Sequence, residues 1–483
     1  MSYKFGFCTV IIVLLECFTT FAQEKDTMKL PDTPVARQFN KFLQAIESGD
    51  YQPYIQENFS QSFLDAFPLS THLEFFKQMH ITHGRFSIRA IEKSTEHELI
   101  VLVKSKKLDA WRRLVFHTEP RSPYKVTGIQ IDMASSPDKD QEQIKKMSEK
   151  EILQYAEGEL KRMVEKDEFS GAVLIAKGGQ LILKQAYGMA SKRFNVPNNV
   201  DTKFNIGSIN KSFTQMAIAQ LLEKGRICLD DKISRYLDNF PEEIGNKVTI
   251  RHLLTMRSGM GHYWTEEWRA KWATIKTVDA LIEIIKKIHL DFEPGAKQQY
   301  SNSGYVVLGA IIEKVTGQSY YDYVRQNVFE PVGMFNTDSY ELDQVVPNLA
   351  IGYTSNLSQA PYANNKWQNN LFLHSVKGSP AGGGYSTVDD LNLYVESLKE
   401  NKLANEKYTN MVLGLFGNID NSECRPGKFG IAGGAPIGIN AVMEADLENG
   451  YTVIVLSNYD PPVAEKLGKK IFNMLCIQSS NEN

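Results

Sequence analysis

FNIGSINKSF, residues 204 to 213, places Ser208 and Lys211 three positions apart at the start of a helix-forming run. The spacing alone decides little, because Ser-x-x-Lys also occurs at Ser122–Lys125 and Ser136–Lys139. Those two read SPYK and SPDK, where proline disfavours a regular turn; the third opens SINKSFTQMAIAQLLEKG. In that run Phe213, Met216, Ala217, Ile218, Leu221 and Leu222 supply an apolar side, and Gly225 supplies a stop. Residues three apart share a helix face, so the Lys211 ammonium can fold back toward the Ser208 hydroxyl. A hydroxyl is unreactive until a base takes its proton, and a lysine serves as that base when burial or a neighbouring cation holds it neutral. N–H groups at the helix start add donors for developing negative charge. The competing reading makes Ser208 an N-cap and Lys211 a solvated surface charge.

Further along, EPGAKQQYSNSGYVVLGAIIEKVTG (293–317) sets Tyr300, Ser301 and Asn302 between a Pro-Gly turn and an apolar helix. Tyr-x-Asn recurs at Tyr362 and Tyr408, but PYANN lies in a polar stretch and KYTNMV reads as ordinary helix. Only Tyr300 sits on a short loop that can present a phenol to a cleft; otherwise it is a surface aromatic. His252 in TIRHLLTM reads as a helix-face residue, and His262 in GMGHYW is a candidate cleft residue. AGGGYS (381–386) lacks a following GK[ST] and reads as a tight turn beside the cleft rather than a phosphate loop.

Outward from this centre, hairpins bracket the region. SGAVLIAKGGQLILKQAYG turns at Gly178 and Gly179, and NAVMEADLENGYTVIVLSNY turns at Asn449 and Gly450. With helices between them, the hairpins imply one sheet assembled from both ends of a domain spanning about 145–478. Before it, a helical stretch VARQFNKFLQAIESGD, two more around NFSQSFLDAF and THLEFFKQMH, and four consecutive strand patterns indicate a small α+β domain over 30–134. Residues 135–144, rich in Ser, Asp and Gln, read as a linker.

The later domain resembles the serine beta-lactamase and penicillin-binding protein superfamily, nearest its class C beta-lactamase, D-aminopeptidase and esterase-like branch. The stretches that carry the resemblance are TKFNIGSINKSFTQMAIAQLLEKGRICLDDKI, VTIRHLLTMRSGM, YSNSGYVVLGAIIEKVTG, GSPAGGGYSTVDDL and GGAPIG, in family order. The resemblance implies an α+β fold, an antiparallel sheet flanked by helices with an all-helical subdomain. It places the nucleophile at Ser208, a lysine base at Lys211, the tyrosine at Tyr300, the asparagine at Asn302, and oxyanion N–H groups at Ser208 and Gly434. No metal or organic cofactor is implied. The first domain is similar to the NTF2-like or cystatin-like module that precedes such hydrolase domains, which implies packing or partner contact.

One motif departs from the pattern. The family carries His-x-Gly or Lys-Thr-Gly on a strand, and alignment through GGAPIG puts Ile431 where the basic residue is expected. A rival register uses Lys428, but Lys428 and Ile431 differ by an odd number of positions and face opposite sides of a regular strand. A charge-assisted hydrogen bond to a substrate carboxylate is worth about 1.5–3 kcal/mol, so its loss disfavours beta-lactams more than acyl transfer as such.

Bulk properties narrow the rest. The chain has 483 residues, 42% hydrophobic, with formal net charge −3, which excludes a general basic field for nucleic acid. Residues 1–22 read as an export signal, with Lys4, an apolar run and a cut after Ala22, so the mature protein is expected to be periplasmic or secreted, with no stable membrane span. Removing it leaves Cys228, Cys424 and Cys476, an odd number at wide spacing that is no disulfide framework or zinc pattern; one bridge is the alternative to the expectation that each is a small buried hydrophobe. Neither GxSxG nor HExxH occurs. The expected function is therefore a serine acyl-enzyme hydrolase acting on a small-molecule or peptide substrate of cell-wall type, through ester, amide, D-amino-acid peptide or lactam carbonyls. The alternative, motivated by Ile431, is a degenerate hydrolase fold that binds cell-wall peptides or a partner without turnover.

Overall fold

Aromatic side chains recur along the first helices at helical spacing, and they build the first of two compact units, residues 1–143 and 144–483. The computed structural model describes residues 28–66, 69–107, 111–134, 147–355, 367–417 and 427–482. The export signal, the linker, Ser136–Lys139, Tyr362 and Cys424 lie outside the described residues.

The first unit runs α1 (Pro34–Ser48), α2 (Tyr51–Asn58), α3 (Gln61–Ala66) and α4 (Leu69–His83), then β1 (Phe86–Ser94), β2 (Glu98–Ser105), β3 (Trp111–Thr118) and β4 (Val126–Met133). The strands pair in sequence order as an antiparallel meander. Phe39 and Phe42 of α1 and Phe76 of α4 are fully buried, and Phe39 meets Phe116 of β3 edge-on at 5.5 Å. Helix α2 is additional to the sequence reading, since YQPYIQEN carries a proline; Pro53 falls in its first turn, where the missing N–H has no intrahelical partner to lose.

The second unit opens with α5 (Glu149–Glu165), capped by reciprocal Ser148–Glu151 bonds. Strands β5 (Gly171–Lys177) and β6 (Gln180–Tyr187) follow, joined at Gly178 and Gly179, whose φ of 56° and 77° suit glycine. Next come α6 (Asn210–Glu223), α7 (Val278–Ile285), α8 (Asn302–Thr316) and α9 (Val388–Lys399), then β7 (Lys428–Ala435), β8 (Ile439–Asp446), β9 (Tyr451–Ser457) and α10 (Val463–Glu482). One antiparallel sheet results, in order β7-β8-β9-β5-β6, so strands from both ends of the unit are neighbours. Ile152, Ala156 and Leu160 of α5 and Ile471 and Leu475 of α10 pack with Val173, Ile175, Val453 and Val455 on one face. Ala172, Leu174, Ile454 and Leu456 meet the buried side chains of α6, α7, α8 and α9 on the other. Strands β8 and β9 are buried along their whole length, which accounts for the unbroken apolar run in YTVIVLS.

Helix α6 differs from its expected one-sided character: every residue from Asn210 to Leu222 is buried. The polar positions that would have faced water are bonded instead. Gln215 Nε2 donates to Tyr305 Oη at 2.6 Å, and Gln220 Nε2 donates to the carbonyls of Asn327 and Leu403 at 2.8 and 3.0 Å. Cys476 is buried as expected, but Cys228 is exposed, because it lies in the loop after α6 rather than in the core. Among the described residues, no helix is long and apolar enough to cross a membrane.

Candidate active site

Ser208 lies in a 3₁₀ turn, Gly207–Ile209, immediately before α6. Its hydroxyl caps nothing, contrary to the capping role that its place at a helix start suggests. Neither the 3₁₀ turn nor α6 has a side-chain cap; Asn205 Oδ1 accepts from Gly207 N at 3.0 Å in a local turn just before them. The hydroxyl is thereby free for side chains, and it has two partners: Tyr300 Oη at 2.6 Å and Lys211 Nζ at 3.1 Å.

Lys211 is buried at 3% exposure rather than solvated at the surface, which excludes the surface-charge reading. Its Nζ donates to Asn302 Oδ1 at 2.8 Å and to the Ala381 carbonyl, and all three of its oxygen partners are neutral. Burial with no carboxylate among these partners pushes the Lys211 ammonium well below its ordinary value. A neutral amine has two N–H bonds and one lone pair. In that form the two N–H bonds would go to Asn302 Oδ1 and Ala381 O, and the lone pair would face Ser208 Oγ at 3.1 Å. The Tyr300 phenol is raised by burial, opposed by its bond to Ser208.

Two loops position these groups. Tyr300 and Ser301 precede α8, and Ser301 is its N-cap, Oγ accepting from Gly304 N at 2.9 Å. This fixes Asn302 at the first helical position, aimed at Lys211. The AGGGYS turn lies beside the cleft as read, closed by Ser379–Gly382 backbone bonds of 2.8 and 3.0 Å. Side chains one turn apart on α6 hold the residues leading into it: Asn210 Nδ2 donates to Ser379 O, and Thr214 Oγ1 to Pro380 O, each at 2.8 Å.

On the other side, β7 runs against the Ser208 turn. A Cβ on Gly433 would lie 2.0 Å from Ile206 O and 2.6 Å from Ser208 N, so only glycine permits this approach. The contact brings Gly434 beside Ser208, where both residues line one cavity of about 480 Å³. Ile431 differs from its expected place at that cavity. It is half-buried against the helical core, and Ala432 to Ala435 form the wall. Lys428 does not substitute: its Nζ is 3.2 Å from the fully buried Asp446, about 20 Å along the strand from Gly434.

The far wall is aromatic and aliphatic, with Tyr263, Trp264, Trp268, Ile275, Leu281 and Tyr321 lining the cavity. The sequence reading missed this wall, although Trp264, Trp268 and Trp272 recur at i, i+4 spacing. It also missed the Ala381 carbonyl, a backbone atom with no sequence signature. His252 is not at the site; it closes a capping box with Thr249. His262 is at the site, its Nδ1 3.1 Å from Asn302 Nδ2.

The comparisons with known proteins agree with this architecture. The chain belongs to the beta-lactamase family, whose model matches residues 157–473. It is 34% identical over 207 residues to penicillin-binding protein 4* of Bacillus subtilis (strain 168), covering 41% of this chain and 45% of that protein. It is 26% identical over 283 residues to the teichoic acid D-alanine hydrolase of Staphylococcus aureus, covering 58% and 68%. The match to the Bacillus protein thus spans about half of that relative's length. A crystal structure of a penicillin-binding protein from Bacillus halodurans superposes with a TM-score of 0.56 at 26% identity, covering 65% of this chain and 99% of that one.

Proposed function

We propose that this protein is an exported serine hydrolase, periplasmic or secreted, that forms an acyl-enzyme at Ser208 on ester or amide carbonyls. The observation that carries the proposal is the junction at Ser208 Oγ, with Tyr300 Oη at 2.6 Å and a buried Lys211 Nζ at 3.1 Å. Lys211 takes the Ser208 proton as Oγ attacks the carbonyl carbon. The resulting oxyanion is stabilised by the backbone N–H groups of Ser208 and Gly434. The proton passes through Tyr300 to the leaving alcohol or amine as that bond breaks, and water then releases the acid by the reverse relay.

Substrate choice follows from the walls. The aromatic side suits an apolar acyl group; Lys377, the lysine among the lining residues, is paired with Glu341 at 3.0 Å, and the Ile431 position carries no cation to bind a carboxylate. We assign esters and amides without that carboxylate ahead of penicillins, and D-amino-acid esters or amides from the cell wall as the natural class, by analogy with the Staphylococcus relative. The first unit is assigned packing or partner contact.

Hydrolysis of a short-chain nitrophenyl ester by wild type, absent in Ser208→Ala, is the expected result. Ester turnover surviving in Ser208→Ala would remove the nucleophile assignment. A wild type inert to esters, penicillins and fluorophosphonates would favour a binding module instead.

A further inference from the structure

The amide of Asn302 can point either way, and its direction decides whether Lys211 is a usable base. With Oδ1 toward Lys211, the amide consumes one lysine N–H. With Nδ2 there instead, the amide would donate to the lone pair that Ser208 needs. Nothing on Lys211's side enforces the first orientation, since a neutral amine both donates and accepts.

The neighbour on the other side does. His262 Nδ1 lies 3.1 Å from Asn302 Nδ2. The imidazole stacks on Trp264 with ring centres 4.8 Å apart and planes 9° from parallel, and Tyr300 lies 6.1 Å away. Ser301 Oγ donates to the Gly261 carbonyl at 3.1 Å, which ties the His262 loop to the start of α8. We propose that His262, as the neutral tautomer with an unprotonated Nδ1, is a positioning residue that holds the Asn302 amide with its oxygen toward Lys211. A protonated Nδ1 would face the Asn302 N–H groups donor to donor and favour the flipped amide.

The residues facing His262 are Lys211, Tyr300 and Asp291, the last lying beside Gly261. Partial covering of the ring and Lys211 lower the imidazole's proton affinity, and Asp291 opposes them. His262 is also exposed to solvent, so its ring exchanges protons with water. Acylation therefore falls on the acid side for two reasons: Lys211 gains a proton, and His262 gains one and turns Asn302.

The inference rests on Ser208 acylation, and two variants with one spectroscopic reading separate the two claims. His262→Phe keeps a ring against Trp264 but removes the acceptor; His262→Asn restores an acceptor oxygen near the Nδ1 position without a titrating group. Acylation by a nitrophenyl ester is expected to slow about tenfold in the Phe variant with KM little changed. In the Asn variant it recovers near neutral pH, with an acid limb shallower by one proton. A Phe variant acylating at the wild-type rate, an Asn variant no faster than Phe, or an Asn variant with the wild-type acid limb would each overturn the proposal. Nitrogen-15 NMR of the wild-type imidazole reads the tautomer whether or not the enzyme acylates or the variants fold. An unprotonated Nδ1 near pH ~7.5 is expected, and a protonated one defeats the assignment.

Discussion

The two sides of the cavity keep different amounts of the family pattern. At the helix side, Ser208, Lys211, Tyr300 and Asn302 come from residues up to ninety-four positions apart and converge on one hydroxyl and one amine. At the strand side, β7 keeps its glycines against the Ser208 turn but has Ile431 where a basic residue is expected. Glycine is retained where backbone must approach backbone, and the basic side chain expected at Ile431 is absent. The difference teaches that the proposed nucleophile cluster and the basic strand position of the family pattern are separable.

The comparison breaks first at Ser208. Replacing it with alanine is expected to reduce ester turnover by roughly 10⁴-fold or more, measured as initial rates against nitrophenyl acetate. Tyr300→Phe removes a proton relay while leaving the ring, and a loss of about 10²–10³ in kcat is expected, with KM close to wild type. Unchanged kcat would make Tyr300 a wall residue only. On the strand side, Ile431→Lys is expected to speed acylation by penicillins up to about tenfold while ester turnover stays the same. No gain would show that a cation at this position, half-buried against the core, does not reach the substrate.

A stability experiment sharpens the same contrast with a smaller effect. The folded pKa of Lys211 is depressed, so below the ordinary lysine value the unfolded chain binds a proton that the folded protein does not. Stability relative to Lys211→Met should therefore rise with pH between the folded pKa and the unfolded value near 10.5, by at most about 1.4 kcal/mol per pH unit. Chemical denaturation of both proteins at several pH values reads the slope, and a flat difference would mean that Lys211 stays charged.

Much of this was legible because the informative features are local or periodic. The Gly178–Gly179 turn, the alternating runs of β1 to β4 and the Ser-x-x-Lys spacing each act within a few residues. What escaped was tertiary. Helix α6 read as one-sided because Gln215 and Gln220 look like surface residues, and only their partners Tyr305, Asn327 and Leu403 reveal burial. The capping role suggested for Ser208 is filled by no side chain, because a 3₁₀ turn leads into α6 and Asn205 bonds Gly207 N in the turn before it. His262 could be named as a cleft candidate, but its bond to Asn302 spans forty residues and has no local signature.

The central claim is that Ser208 is made nucleophilic by a neutral, buried Lys211. The most direct test is intact-mass spectrometry after rapid quench with an activated ester, followed by peptide mapping, for wild type and Lys211→Met across pH. The account predicts a single acyl adduct on Ser208 in wild type, forming faster as pH rises through the depressed Lys211 pKa, and little or none in Lys211→Met. An adduct on another residue, or equal acylation of Ser208 without the lysine, would contradict it.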